Sequence, residues 1–389
     1  MSRVSALAAM AGAYAVTVFV FPWSDTRIND TWVYATDARA FLHGALPYRD
    51  VFFEYPPLAA PVVTLPSFAG TSLPAYRTGL TVVSLVLLGC VLLLVRALAR
   101  RTGGDQRLAM AAVAVAPLLL GAVLRNHFDL APVALTLAAL VLLVDGGARA
   151  GMAVLGIAVA VKGYPIVVAP VAVAWLVARG RRADALRGGA VFAAIAAGTV
   201  ALAVALSPAG ALDALRWQTE RPVQVESTPA AVLHLAGADA RVEKSFRSHN
   251  LIHPAAGAVA MGIGALGAVA VLLLAMGAAR TPGPRELVLA ALAATAAYAA
   301  FGKVLSPQYM TWAIPLMALA LSWRRVAIAA TIGVAAVLTF FEFPLRYRDL
   351  LSGDSLTVGA VALRDALLVT SVALCVRALS ARRALPARA

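Results

Sequence analysis

Long apolar runs separated by short polar stretches dominate this chain. Runs able to cross ~30 Å of hydrocarbon as helices occur near 5–22, 77–99, 108–124, 130–145, 189–206, 254–279, 287–302, 309–323, 326–342 and 356–377. The stretch 151–178 is equally apolar but is interrupted by Lys162-Gly163-Tyr164-Pro165. Gly and Pro break helices and lysine is disfavoured against lipid, so this stretch reads as two short spans meeting at a turn. The pattern predicts an all-α polytopic membrane protein of about twelve transmembrane helices, forming a single integral membrane domain over residues 1–389. The expected outer loops are 23–76, 207–253 and 343–355. The first apolar run is longer than a usual signal core and is expected to stay attached as a span.

The first loop is the richest in polar and aromatic groups. Asn29 or Asp30 can cap a short outer-face helix running to His43, with Gly44 in the left-handed position that ends it. Asp30, Tyr34 and Asp37 then share one face of that helix. Val33, Ala40 and Phe41 lie partly on a neighbouring face, which would rest on the membrane interface. Farther on, Pro56-Pro57 forces Tyr55 into extended backbone and fixes Glu54 beside it.

Composition agrees with the membrane reading: 61% of residues are hydrophobic and 13% charged, a surface that would aggregate in water. The formal net charge is +14. Arginines crowd the short connections, as in the groups Arg96 to Arg107 and Arg179 to Arg187, and this bias places both termini in the cytoplasm. Only Asp105, Asp145, Asp184 and Glu286 are acidic on that side. The basic excess fits contact with anionic membrane lipids, and no basic domain suggests nucleic acid. Cys90 and Cys375 fall inside expected spans and suggest neither a disulfide framework nor a metal site.

Carboxylates clustered in an outer loop, facing cations at outer helix ends, suit glycosyl transfer from a lipid phosphate. A carboxylate takes the proton of an acceptor hydroxyl, and cations stabilise the departing phosphate. No Walker or dinucleotide glycine pattern asks for a nucleotide. The duller readings stand beside these. Asp30 is either a base or only a helix cap, and Asp37 lines a site or a solvated face. Glu54 either lines a sugar pocket or anchors Arg49. Lys162 and Lys303 hold phosphate or snorkel to headgroups. Arg221 and Glu226 shape an acceptor site or pair with each other. His127, His249 and His253 lack carboxylates at metal-ligand spacing and read as interfacial, and Arg125 is one more outer-turn cation. Arg364-Asp365 lies deep in the last span and has no functional account. No Asp-x-Asp pair occurs, so no metal ligand is assigned and no cofactor is expected.

An aspartate soon after the first span, a tyrosine four residues on, Gly44-Ala45-Leu46-Pro47-Tyr48 and Glu54-Tyr55-Pro56-Pro57-Leu58 together resemble the polyprenol-phosphate-mannose-dependent mannosyltransferases of the C-type glycosyltransferase superfamily. Later pieces agree: Lys162-Gly163-Tyr164-Pro165, Arg221 to Ser227, and Lys303 to Tyr309 with Gln308. The resemblance runs from about residue 20 to residue 320. It implies the C-type architecture and an inverting transfer of mannose from a polyprenyl-phosphate-sugar donor to a glycolipid or glycan acceptor, outside the plasma membrane. It makes Asp30 the base and implies little or no metal dependence. Substrate contacts are then expected from Tyr34, Asp37, Glu54, Tyr55, Arg125, His127, Lys162, Arg221, Glu226, His249, Lys303 and Gln308. A related arabinosyltransferase or protein O-mannosyltransferase is an alternative within the class. A transporter or lipid flippase is the alternative outside it, although transport favours ionisable groups near the midplane rather than at one end of the spans.

Overall fold

The computed structural model describes residues 2–20 and 29–381. The start of the first expected loop, with Trp23, and the end of the basic tail, with Arg382, Arg383 and Arg388, lie outside the described residues. The chain opens with α1 (Arg3–Phe19), α2 (Thr31–Leu42), α3 (Ala59–Thr64), α4 (Leu73–Arg101), α5 (Gln106–Leu120) and α6 (Val123–Asn126). It continues through α7 (Leu130–Val144), α8 (Ala148–Val161), α9 (Val168–Ala178), α10 (Arg182–Leu206), α11 (Pro208–Glu220) and α12 (Thr228–Leu235). The last third holds α13 (Ala256–Arg280), α14 (Pro284–Ala300), α15 (Met310–Ser322), α16 (Val326–Phe340), α17 (Tyr347–Leu351) and α18 (Ser355–Ser380).

A helix stands at each apolar stretch singled out from the sequence. Five, Leu73–Arg101, Arg182–Leu206, Ala256–Arg280, Val326–Leu345 and Ser355–Ser380, are long and apolar enough to cross a membrane. Between α8 and α9 the backbone of Lys162 is extended, and a 3-10 turn, Tyr164–Val167, restarts the helix. α14 and α15 form the centre, with almost every side chain buried. The run of alanines from Ala290 to Ala300 explains α14's position, since small side chains let neighbouring helices approach closely where apolar surface alone gives no preference in lipid. α10 lies at the periphery and buries few side chains, among them Ala185, Gly188 and Ala203.

The expectation of an all-α chain needs one correction. The 207–253 segment carries a three-stranded antiparallel sheet of β1 (Val223–Gln224), β2 (Arg241–Ser245) and β3 (Ser248–Ile252), in the order β1-β3-β2. The β2–β3 hairpin turns at Phe246 and Arg247, both with positive φ (50° and 55°). Such a two-residue turn usually announces itself through Asn-Gly or Gly-Gly, and here that signal is missing. The first loop also differs from expectation in detail. The Asn29 side chain caps α2 by accepting from the Thr31 N–H (3.1 Å) and hydroxyl (2.6 Å), while Asp30 makes no side-chain cap. Val33 is buried and lines the interior cavity instead of resting on lipid.

Candidate active site

The turns expected on the outer face converge on one cavity of about 1110 Å³. α2 and the 47–57 segment supply one wall, the turns after α6, α8 and α14 the floor, and α10, α11 and the hairpin the rest. α11 is brought against the first loop by Gly210, whose missing side chain leaves room for the Tyr48 carbonyl. A Cβ at that position would sit 1.9 Å from that oxygen.

Because Asn29 takes the capping role, the Asp30 carboxylate is left to face the cavity, 30% exposed. Its Oδ2 lies 3.4 Å from the Tyr34 hydroxyl and 3.6 Å from His127 Nε2. Burial holds the His127 imidazole below its usual pKa, with the charges of Asp30 and Asp129 pulling it back up. Tyr34 stands behind the wall, its ring edge-on to Phe128 and Tyr55. Glu54 accepts from Arg247 Nη1 (3.1 Å) through one oxygen and from Trp217 Nε1 (3.1 Å) through the other. Arg49 pairs instead with Asp50 (2.9 Å), so Glu54 is not its anchor. Burial pushes the Glu54 carboxyl up and the Asp30 charge adds to this, opposed by Arg247 and Arg221.

Lys162 is neither snorkelling nor free. Its Nζ donates to Asp129 Oδ1 at 2.7 Å, the two side chains being 13% and 2% exposed. The same oxygen accepts from Trp312 Nε1 at 2.7 Å. Trp312 is stacked between Tyr164 and Tyr309, with ring centroids 3.9 Å away on each side. Asp129 and Trp312 were missed as site residues. An aspartate at the head of a span, two residues after a histidine, was the available signal, but its partner lies 33 residues away.

Arg221 follows α11 and lines the cavity with its Nε unpartnered among the described residues. Its charge is felt by Glu54, Glu226 and Lys303. Tyr55, Glu226, His249 and Gln308 also line the cavity. Besides Tyr34, three more of the expected contacts do not line the cavity. Lys303 donates to the Thr219 carbonyl (2.7 Å) and so closes the C-terminal turn of α11. Arg125 is fully buried and donates to the Thr17 carbonyl (2.9 Å), tying α6 to α1. Asp37 is buried behind α2, with Oδ2 unpartnered among the described residues.

Asp37 has a consequence for stability. Burial, together with Glu54 and against Arg247, raises its pKa to about 7, whereas in an unfolded chain it is ~3.9. Between these values the folded protein binds more protons, so stability falls as pH rises from about 4 to about 7 and is level above. Asp37→Asn should flatten that part of the dependence, with thermal midpoints measured between pH 5 and pH 8 as the check. Equal slopes in both proteins would remove Asp37 as the source.

The sequence model of glycosyltransferase family 87 matches residues 52–307, more than half of the chain and most of the cavity's lining. The chain belongs to glycosyltransferase family 87. This family 87 protein is therefore a glycosyltransferase, and its long apolar helices make it a membrane one. Among solved structures it aligns with the oligosaccharyltransferase of Archaeoglobus fulgidus, determined with a tethered acceptor peptide containing the NVT sequon. The TM-score is 0.48 and the identity 14%, covering 94% of this chain. This chain spans 55% of the length of that one. No curated protein sequence matches it significantly.

Proposed function

We propose that this glycosyltransferase moves mannose from a polyprenyl-phosphate-mannose donor to a glycolipid or glycan acceptor, on the outer face of the plasma membrane and with inversion. The observation that carries the reading is the cavity's division into two unlike halves. One half presents Asp30, His127, Lys162 and Arg221. The other is an apolar wall from α8, α10 and α11, including Val200 and Leu215, which are 64% and 59% exposed. A sugar phosphate carrying a long prenyl tail has the same division, and the exposed apolar side chains of α10 would meet that tail from the bilayer.

In the proposed reaction an acceptor hydroxyl attacks the anomeric carbon as the bond from that carbon to the phosphate oxygen breaks. The hydroxyl proton passes to Asp30, with Tyr34 and His127 fixing the carboxylate. Polyprenyl phosphate leaves as an anion, and Arg221, lining the cavity with its Nε unpartnered among the described residues, receives it. Lys162, already neutralised by Asp129, contributes chiefly by holding the floor. Twelve crossings with both termini in the cytoplasm would put this cavity outside, since the turns that build it alternate with the arginine-rich ones along the chain.

Purified protein incubated with polyprenyl-phosphate-mannose and a membrane-lipid extract should yield mannosylated lipid. A water-soluble mannosyl phosphate without the prenyl tail should be at least ~10-fold poorer, as several buried CH₂ groups are worth ~0.8 kcal/mol each. Equal use of both donors would argue against the apolar wall as the tail's site.

A further inference from the structure

The mechanism leaves one buried charge cluster unused. Arg364 of α18 is fully buried. It donates to Glu342 Oε2 (2.9 Å) and Asp365 Oδ1 (2.8 Å), and its third nitrogen donates to the Glu226 carbonyl oxygen. One guanidinium thus binds two buried carboxyls and the backbone of Glu226, whose own carboxyl is the third buried acid of the cluster. Fully ionised, the cluster would carry two uncompensated negative charges in the interior, so it must hold protons. The Glu226 and Glu342 carboxyls act on each other, and Oε1 of each has no hydrogen-bond partner among the described residues. Burial, reinforced by Glu342, drives the Glu226 carboxyl well above the usual range. Burial thus favours the neutral form of Glu226.

Of the three acids only Glu226 lines the cavity. Its other oxygen accepts from the Gln224 amide, whose carbonyl accepts from Ser306 Oγ (3.1 Å). Beside it His249 Nδ1 is 3.1 Å from the Tyr347 hydroxyl, and that ring packs edge-on against Phe343 (5.3 Å). Gln224, Ser306, His249, Tyr347 and Phe343 all line the cavity. The Asp30 charge acts on the Tyr347 hydroxyl, so this group is within electrostatic reach of the candidate base. Amide, hydroxyl, imidazole and neutral acid beside aromatic faces suit a neutral polyol, whose hydroxyls each need a donor or an acceptor. A well-packed apolar cluster would be as stable as the buried ions or more so, which leaves presentation of Glu226 as what Arg364 adds.

We propose that Gln224, Glu226, His249 and Tyr347 form the subsite for the acceptor's terminal sugar, a neutral pyranose, and that Arg364 is a positioning residue holding Glu226 from behind. The proposal rests on the transfer reading above for the word acceptor, but its test needs no donor. Protein in lipid nanodiscs, free of glycoside detergent, is titrated with methyl α-mannopyranoside and methyl α-glucopyranoside by saturation-transfer NMR. At least one should bind saturably. Glu226→Ala and Tyr347→Phe should weaken binding ~10-fold or more, the range for losing a buried hydrogen-bond partner. Glu226→Gln, which keeps a neutral donor, should stay within about threefold of the parent, and Arg364→Lys should fall between, with thermal midpoints checking the fold. In transfer assays Glu226→Ala should raise the half-saturating acceptor concentration and leave that of the donor unchanged. No saturable glycoside binding in the parent, or unaltered binding in Glu226→Ala, overturns the subsite. Binding that survives Glu226→Ala but is lost in Arg221→Met moves the sugar away from Glu226 to Arg221 and overturns it equally. Failure of the mannosyl donor alone removes the donor assignment and leaves the NMR result to decide the subsite.

Discussion

Asp30→Asn should lower turnover by ~10² or more while donor affinity stays within a few-fold of the parent. The amide keeps the size of the carboxylate and can still meet the Tyr34 hydroxyl, 3.4 Å away in the parent, but it cannot take a proton from the acceptor. The helix should not suffer, because the side chain capping α2 is Asn29. This separates the chemical role from the capping role that the sequence offered beside it. Single-turnover transfer and donor titration on the same preparation are the measurements. Near-normal turnover would end the assignment. Glu54 would not be a simple replacement, since both its oxygens are engaged, by Arg247 and Trp217.

The second large effect divides the cations. Arg221→Met should raise the donor dissociation constant by roughly 10- to 100-fold without loss of stability, the range for a charge-assisted hydrogen bond to phosphate. Lys162→Met should instead destabilise the fold by ~3–5 kcal/mol, because it leaves the buried Asp129 without its partner. Adding Asp129→Leu to Lys162→Met should recover most of that loss by removing the orphaned charge. Lys303→Met should change donor affinity little, as its ammonium is committed to the Thr219 carbonyl. The set is read by donor titration together with thermal unfolding. A donor affinity unchanged in Arg221→Met but lost in a fully folded Lys162→Met variant would reverse the assignment.

The length of the apolar runs located the long helices of this protein from sequence alone, because an apolar stretch in or near a bilayer must satisfy its backbone within itself, whereas α11 and α12 lie in what was expected to be the outer loop 207–253. Local stereochemistry also read through: Gly44 takes positive φ (88°) just past α2, and the chain breaks at Lys162-Gly163. Asp30, Glu54, Tyr55, His127, Lys162, Arg221, Glu226, His249 and Gln308 were expected at one end of the spans and line one cavity, while Tyr34, Asp37, Arg125 and Lys303, expected with them, do not. Partner choice was not legible. Lys162 meets Asp129, Glu54 meets Arg247 across 193 residues, and Arg364 meets Glu342 and Glu226. Ion pairs of this kind form wherever packing brings opposite charges out of water together, and packing depends on the shapes of whole helices rather than on spacing along the chain. The small sheet was hidden for a related reason. Its turn at Phe246 and Arg247 is held by tertiary contacts, Phe246 against Trp217 and Arg247 on Glu54, in place of the glycine that would mark it locally. The sequence thus determined which apolar runs become helices and which turns between them carry polar groups at a common end. Only the tertiary structure decided which charges neutralise one another and which, like Arg221, are left facing the cavity, because that depends on distances between segments that the chain's order does not constrain.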